Sequence, residues 1–419
     1  MSQEHSYKLI GPITQLISME GLPVKGALKD EELPIIQDAG ILLQDEKVIA
    51  VGSHRELLKK AQRLKAQLIE LKGKYVATPG FIDCHTHICF AGSRAKDYAM
   101  RNAGKSYLEI AKAGGGIWDT VTKTREASLE QLFHNTMKRA NQMIKNGITT
   151  IEVKSGYGLS IEEELKMLRA IALANRNIEA DLISTCLAAH MLPKDFNGSE
   201  SAYLEWISKE LFPVLKQEKL TNRIDAFIEE SAFSTADIIP YYSKAIEMGF
   251  NLTVHADQFT TGGSQVAAEM GALSADHLEV STDTEIAILA ASNTIAVALP
   301  GASLGLGCAF TPARKILDQG GALAIASDWN PGSAPMGDLL TQASILGTFQ
   351  KLSNAELLAG ITYRAAAALD LTDRGTIASG KLADINLFAT DDNNEIWYHQ
   401  GKLTPAQVWK NGELIFTEH

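Results

Sequence analysis

Cysteine and proline are scarce in this chain, with 4 and 12 copies in 419 residues. Cys84, Cys89, Cys186 and Cys308 are too few and too scattered for a disulfide framework at this length. Cys84 and Cys89 bracket a His-x-His pair, yet no second cysteine pair follows to complete a structural zinc site, so all four are read as small core residues. Long apolar runs are missing too: none approaches the roughly 18 residues that span a bilayer, and no membrane partner is expected. Positive charge is in the minority, 39 Lys and Arg against 50 Asp and Glu, for a formal net of −11. The longest basic stretch, Lys59 to Lys65, is interrupted by Ala61, Gln62 and Leu64, which leaves no sustained positive field for nucleic acid. The first eight residues include Glu4, His5 and Lys8 and no apolar core, so no signal or transit peptide is expected and the chain reads as cytoplasmic.

What remains is the composition of a folded protein, 45% apolar and 21% charged. At roughly 150 residues per domain the length suggests two or three domains, although one α/β barrel absorbs about 250 residues by itself. Both ends have β texture. Gly40 to Gly52 reads as a hairpin with an acidic turn at Asp45-Glu46, followed by a helix over His54 to Leu68. Gly380 to Phe388 and Pro405 to Phe416 read as further strands, the second bent at Asn411-Gly412. Each piece is too short to make a core alone. The ends are therefore expected to pair into a small composite β-sandwich, residues 1–75 with 374–419, beside a barrel over 76–373.

Between the ends, eight apolar runs are candidates for parallel strands buried on both faces: Gly80 to Ile88, Thr149 to Lys154, Asp181 to Ala189, Ile224 to Glu229, Phe250 to His255, Leu273 to His277, Thr294 to Leu299 and Ala322 to Asp328. Helix signals separate most of them, including Ser128-x-x-Gln131 and Ser160-x-x-Glu163 as capping boxes. Eight strands alternating with helices favour a (β/α)8 TIM barrel over a doubly wound sheet. The first strand is not followed by G-x-G-x-x-G, which removes the main support for a dinucleotide fold. Gly114-Gly115-Gly116 reads as a flexible loop near the substrate, with no helix start after it.

Polar residues gather at the expected C-terminal ends of these runs: Asp83 to His87, His190, His255 to Gln258, Asp276-His277 and Asp328. That is the face where barrel enzymes hold their active sites. His85 and His87 alternate with Thr86, so on an extended backbone both imidazoles point the same way and can bind one metal. With further strand-end histidines and a strand-end aspartate, the pattern fits three His and one Asp around a single ion that activates water.

In their order along the chain, Thr78-Pro-Gly-Phe-Ile-Asp-Cys-His-Thr-His87, a strand-five His, a strand-six His and a strand-eight Asp resemble the metal-dependent amidohydrolase superfamily, as does Gly375 to Asp384 after the barrel. Within it, Phe90 to Arg94, Gly114 to Ile117, Glu152 to Leu159, His255 to Asp257, Ser274 to Leu278 and Asp328 to Gly332 resemble the imidazolonepropionase family. The resemblance covers nearly the whole chain. It implies one zinc or iron ion on His85, His87, His255 and Asp328, with His277 beside it and Asp328 doubling as base. It also implies substrate contacts at Arg94, Tyr157, His190, Gln258, Asn330, Gly332 and Ser333, and a homodimer.

The small-molecule substrate that the resemblance implies, 4-imidazolone-5-propanoate, has a carboxylate that a guanidinium grips bidentately, which suits Arg94. Its ring N–H groups and lactam carbonyl suit a neutral His190, Tyr157 and the Gln258 amide. Metal-activated water opening the ring carbon–nitrogen bond would give N-formimidoyl-L-glutamate, a step in degrading L-histidine to glutamate. The net charge of −11 cannot attract such an anion, so its capture must be local.

Plainer readings stand beside these. Arg94 has an i,i+3 partner in Asp97, and Tyr157 reads equally as a core aromatic. Lys154 is expected to support the site rather than to ligate as a carbamate; Glu229 reads as a carboxylate near the metal. Some members have Glu where this chain has Gln258, which shifts proton transfer onto Asp328 and His277. The alternative enzyme is another cyclic amidase or a nucleobase-type deaminase, which needs the acid that Gln258 does not supply. The alternative outside enzymology is a silent scaffold barrel, against which the intact His85, His87, His255 and Asp328 argue. Thr362-Tyr-Arg364-Ala-Ala departs from the superfamily's Thr-x-Asn-Ala-Ala and is expected to be structural.

Overall fold

The computed structural model describes residues 5–418; the expectations that touch residues 1–4 and His419 lie outside this range. Eight parallel strands run in chain order around a barrel: Phe81–Asp83, Ile148–Lys154, Asp181–Ala189, Arg223–Phe227, Asn251–Ala256, Ser274–His277, Ile295–Ala298 and Leu323–Ile325, numbered one to eight below. Each pairs with the next in sequence. Strands one and eight meet beyond their regular ends, where Thr86 bridges Trp329 and the Asp328 amide donates to the His85 carbonyl at 3.0 Å. Asp83 strengthens this seam by accepting from the Ser327 amide at 3.1 Å.

Strands are buried on both faces because helices cover the outside, which is why they read as nearly continuous apolar runs. Several of the covering helices begin on serine caps: Ser128, Ser160, Ser199 and Ser234 accept from the amides of Gln131, Glu163, Ala202 and Asp237. Each such cap stabilises its helix by about 1 kcal/mol. For Ser128 and Ser160 only the serine half of the expected capping box forms, and the reciprocal bond is absent.

A second sheet takes strands from both ends of the chain, in the order Glu413–Thr417, Gln407–Lys410, Ile385–Phe388, Val76–Pro79, Tyr7–Ile17, Ile35–Gln44 and Lys47–Ser53. The Asp45-Glu46 and Asn411-Gly412 turns lie where the sequence put them; the latter has φ of 52° and 75°, the hand that matches strand twist. The first helix stops at Leu64, not Leu68, because Lys65 adopts a left-handed conformation and Gln67–Glu70 leaves to pair with Tyr7–Ile17.

Between the sheets, the segment around Gly26 lashes the barrel. The fully buried Arg364 donates to the Gly26 carbonyl at 2.8 Å, so the departure at this position fastens the chain's beginning to the barrel. Among the described residues no helix is long and apolar enough to cross a membrane.

Candidate metal centre and substrate cavity

Strand one is only three residues long, so His85 and His87 sit just past it rather than inside a longer strand. The backbone there is nonetheless held in line, because Thr86 Oγ1 donates to the Glu152 carbonyl at 2.6 Å and the Lys154 amide donates to the Thr86 carbonyl at 2.9 Å. Both imidazoles turn inward. His85 Nε2 and His87 Nε2 are 3.3 Å apart, and His255 Nε2, from strand five, is 3.3 Å from His87 Nε2. Asp328, just after strand eight, places Oδ1 3.5 Å from His85 Nε2 and 3.4 Å from His87 Nε2.

These four side chains are buried, and Asp328 Oδ1 has no hydrogen-bond partner. Three imidazole nitrogens and a bare carboxylate oxygen facing one another are costly without a cation between them. A tetrahedral ion with bonds of about 2.1 Å holds its donors about 3.4 Å apart, which matches these four separations; the candidate metal donors form two groups that share His85, one with His87 and Asp328 and one with His255 and His277. Burial pushes His87 down to about 3 and holds His255 well below its ordinary value, which leaves both imidazoles neutral and able to ligate. At His85 burial and Lys154 act downward, but Asp276 and Asp328 outweigh them and raise it to about 9. The carboxylates that favour a proton there equally favour a metal cation.

His277 ends strand six beside the cluster, its ring centroid 5.3 Å from that of His255. Its backbone is strained: His277 and the following Leu278 have φ of 87° and 70°. Glu279 Oε1 lies 3.3 Å from His277 Nδ1, which turns the other ring nitrogen away from Glu279.

Beneath the ligands is a charged layer that the sequence reading largely missed. His85 Nδ1 donates to Asp276 at 2.6 Å, and His255 Nδ1 lies 2.9 Å from Asp225. Lys154 Nζ is 2.8 Å from Glu152 and 2.9 Å from Asp225. Burial acts against its charge, but Asp225, Glu152 and Asp276 outweigh it and raise Lys154 above its ordinary value. The available signal was four charged residues inside otherwise apolar strands, with Glu152 and Lys154 two apart and so on one face.

A cavity of about 550 Å³ opens at the strand ends, lined by His87, His255, His277 and Asp328 on one side and by Arg94, Tyr157, His190, Gln258, Asn330, Gly332 and Ser333 around it. His190 Nδ1 donates to the Gly156 carbonyl at 2.9 Å, leaving Nε2 as acceptor, and burial keeps the ring neutral by lowering its pKa. Burial raises the Tyr157 phenol, which stays a donor. The buried Glu164 carboxylate shapes the Tyr157 loop by accepting from the Gly156, Gly158 and Leu159 amides at 3.1, 2.8 and 2.8 Å.

Arg94 combines the expected Asp97 pair with a place on the cavity wall. Its Nε donates to Asp97 at 2.8 Å while the side chain lines the cavity. Asp97 also accepts from the Gly116 amide at 2.8 Å. Gly116 is the N-cap of a helix over Ile117–Glu126, so the glycine run is anchored and does precede a helix, contrary to the sequence reading. The long insert after strand one also supplies Arg101, whose guanidinium bridges the carbonyls of Gly305 and Gly332. Neither this insert's helices nor Arg101 had been singled out, because no strand period marks them.

Glu229 and Asn330 both hold loops at the cavity wall. Glu229 lines the same cavity, and its carboxylate accepts from the amides of Phe259 and Thr260 at 2.9 and 3.2 Å and so fixes the chain after Gln258. Asn330 spends its amide on its own loop, donating to Asp328 Oδ2 at 2.9 Å and accepting from the Gly332 and Ser333 amides at 2.7 and 2.8 Å. Cys308 is exposed and lines the cavity, whereas the other three cysteines are buried as expected.

Residues 76–415 match the amidohydrolase family. Solved structures with this fold include an atrazine chlorohydrolase of Arthrobacter aurescens complexed with zinc (TM-score 0.70, 16% identity, 98% of this chain and 95% of that one) and an ochratoxinase of A. niger (TM-score 0.70, 15% identity, 99% and 97%). The chain belongs to the amidohydrolase family. Within it, relatives named imidazolonepropionase are much closer: that of Bdellovibrio bacteriovorus is 38% identical over 98% of this chain and 97% of its own, and one from Acinetobacter baumannii 40% identical over 93% and 97%. Its place is on the imidazolonepropionase branch.

Proposed function

We propose that the protein hydrolyses the ring carbon–nitrogen bond of 4-imidazolone-5-propanoate to N-formimidoyl-L-glutamate, in the degradation of L-histidine to glutamate. One observation carries this reading beyond the likeness to named relatives: a single cavity is lined both by His87, His255 and Asp328, with His85 Nε2 3.3 Å behind His87 Nε2, and by Arg94. One part suits a hydrolytic centre and the other an anionic tail.

His85, His87, His255 and Asp328 would hold one zinc or iron ion, since three imidazoles and a carboxylate suit either. Such an ion, when bound, lowers the pKa of water and polarises a carbonyl oxygen. Arg94, held from behind by Asp97, receives the propionate carboxylate. His190 accepts from a ring N–H, and Tyr157 and Gln258 complete the orientation of the ring. Asp328 takes the proton of the attacking water; a carbon–oxygen bond forms at the lactam carbon and the ring carbon–nitrogen bond breaks. Asp328 then returns the proton to the leaving nitrogen, while His277 donates towards the carbonyl oxygen. Asn330 keeps the Asp328 carboxylate aligned.

The barrel over 76–373 would carry this chemistry and the composite sandwich, 1–75 with 374–419, would brace it. A cytoplasmic homodimer is the form the family resemblance implies. Incubation with freshly prepared 4-imidazolone-5-propanoate should yield formimidoylglutamate, and His255→Ala should not. Ring opening that is equally fast in the variant would remove the proposed centre.

A further inference from the structure

Lys154 is an uncommon residue to find where it is. It is completely buried in the barrel interior, at the end of strand two, and the proposed reaction does not use it. Its ammonium touches two carboxylates closely, Glu152 Oε1 at 2.8 Å and Asp225 Oδ2 at 2.9 Å, and approaches a third, Asp276 Oδ2, at 3.8 Å. The same oxygens reach onward. Asp276 Oδ2 is 2.6 Å from His85 Nδ1, and Asp225 Oδ2 is 2.9 Å from His255 Nδ1. One cation thus stands behind two carboxylates, each of which stands behind an imidazole from a different strand.

We infer that Lys154 is a positioning residue for the metal centre: through Asp225 and Asp276 its ammonium fixes the His255 and His85 rings so that both Nε2 atoms converge on one ion. The inference rests on the metal-centre reading above. Two aspartates this close to one another repel in a dry interior and separate unless a cation sits between them. Separation would rotate each imidazole that follows its carboxylate, and ligand rings depend on such partners for orientation. The ammonium cannot itself ligate, because its donors face the carboxylates. A neutral side chain of similar length would fill the space but leave the aspartates unclamped.

A simpler role has to be separated from this one. Lys154 also neutralises Glu152, its neighbour on the same strand face, and that alone would make it structural. The double variant Glu152→Gln/Lys154→Met removes this pair without changing the net charge, a replacement that buried ion pairs tolerate. Zinc affinity of the metal-stripped full-length protein is measured by competition with a chromophoric chelator, alongside circular dichroism and thermal unfolding of the same samples. The double variant should keep its fold yet bind zinc about 10- to 100-fold more weakly than wild type. Glu152→Gln alone should stay within about threefold of wild type. Wild-type affinity in the double variant would overturn the inference and leave Lys154 as the partner of Glu152. Should the double variant fail to fold, Lys154→Gln is read by the same two outcomes. If the wild-type protein itself binds no zinc and no iron, the metal centre and this inference fall together; if it binds and the variants bind equally well, only this inference falls.

Discussion

Arg94 and Asp97 form a partly buried i,i+3 pair in which the carboxylate grips the guanidinium at Nε, 2.8 Å away. The grip orients the group that faces the cavity. Arg94→Ala should therefore raise KM for the imidazolone about 10- to 100-fold with a smaller fall in kcat, the scale of losing a charge-assisted hydrogen bond. Asp97→Asn should give a milder rise in KM, since the guanidinium remains but loses its support. Steady-state kinetics on both variants check this, and an unchanged KM for Arg94→Ala would end its role in binding the carboxylate.

Gly332 is small for a reason that lies in its neighbour. A Cβ there would sit 2.3 Å from an Arg94 terminal nitrogen, at the movable end of a long side chain. Gly332→Ala should leave the fold intact, with little change in Tm, while displacing the guanidinium and raising KM about tenfold. Unfolding of the variant, or normal kinetics in it, would contradict this arrangement.

For Asp328 the effect should fall on turnover. Asp328→Asn keeps the shape but removes the base, and kcat should drop about 10²- to 10⁴-fold with KM changed far less. Metal analysis of the same preparation separates loss of the base from loss of the ion. Chelation of the wild-type protein should abolish activity, and zinc or iron should restore it.

A pH dependence of stability follows from Asp181, which joins the barrel to the terminal sheet through Arg374 and Lys410. Burial acts to raise its carboxyl, but Lys410 and Arg374 outweigh burial and hold it below the ordinary value of 3.8. A carboxyl lowered on folding stabilises the protein above its unfolded pKa and loses that contribution as pH falls through the folded pKa. Asp181→Asn should thus lower Tm near neutral pH, by on the order of 1–2 °C because the group is partly exposed and screened. The difference from wild type should shrink as the pH is taken below 3.8. A gap that persists in acid would point to packing instead.

The barrel could be read from the sequence because its strands are apolar on both faces, and strand three, Asp181–Ala189, has the expected bounds. The candidate ligands could be placed near one another because strand ends in a barrel converge. Strand one was expected over Gly80 to Ile88 and is three residues long. There the backbone leaves its ladder to cross towards strand eight, a long-range demand invisible to local periodicity. The places of Asp225 behind His255 and of Asp276 behind His85 were not legible for a related reason. Their roles depend on which histidine lies opposite, and only strand register decides that. The sequence reading also had Arg94 pairing with Asp97 as a rival to substrate binding, whereas the geometry allows one guanidinium to do both.

The seam between strands one and eight has a consequence for biogenesis. Asp83 and Ser327, which meet across it, are 244 positions apart in the chain. His85 and His87 come from one side of that seam and Asp328 from the other, so on the proposed ligand assignment a growing polypeptide would hold no complete ligand set until nearly all of the barrel has emerged and its ends have met. Long-range closures of this kind are the late, slow events of folding. On that assignment an unfinished chain would hold a metal poorly, and tight metal uptake would report that the ring has closed.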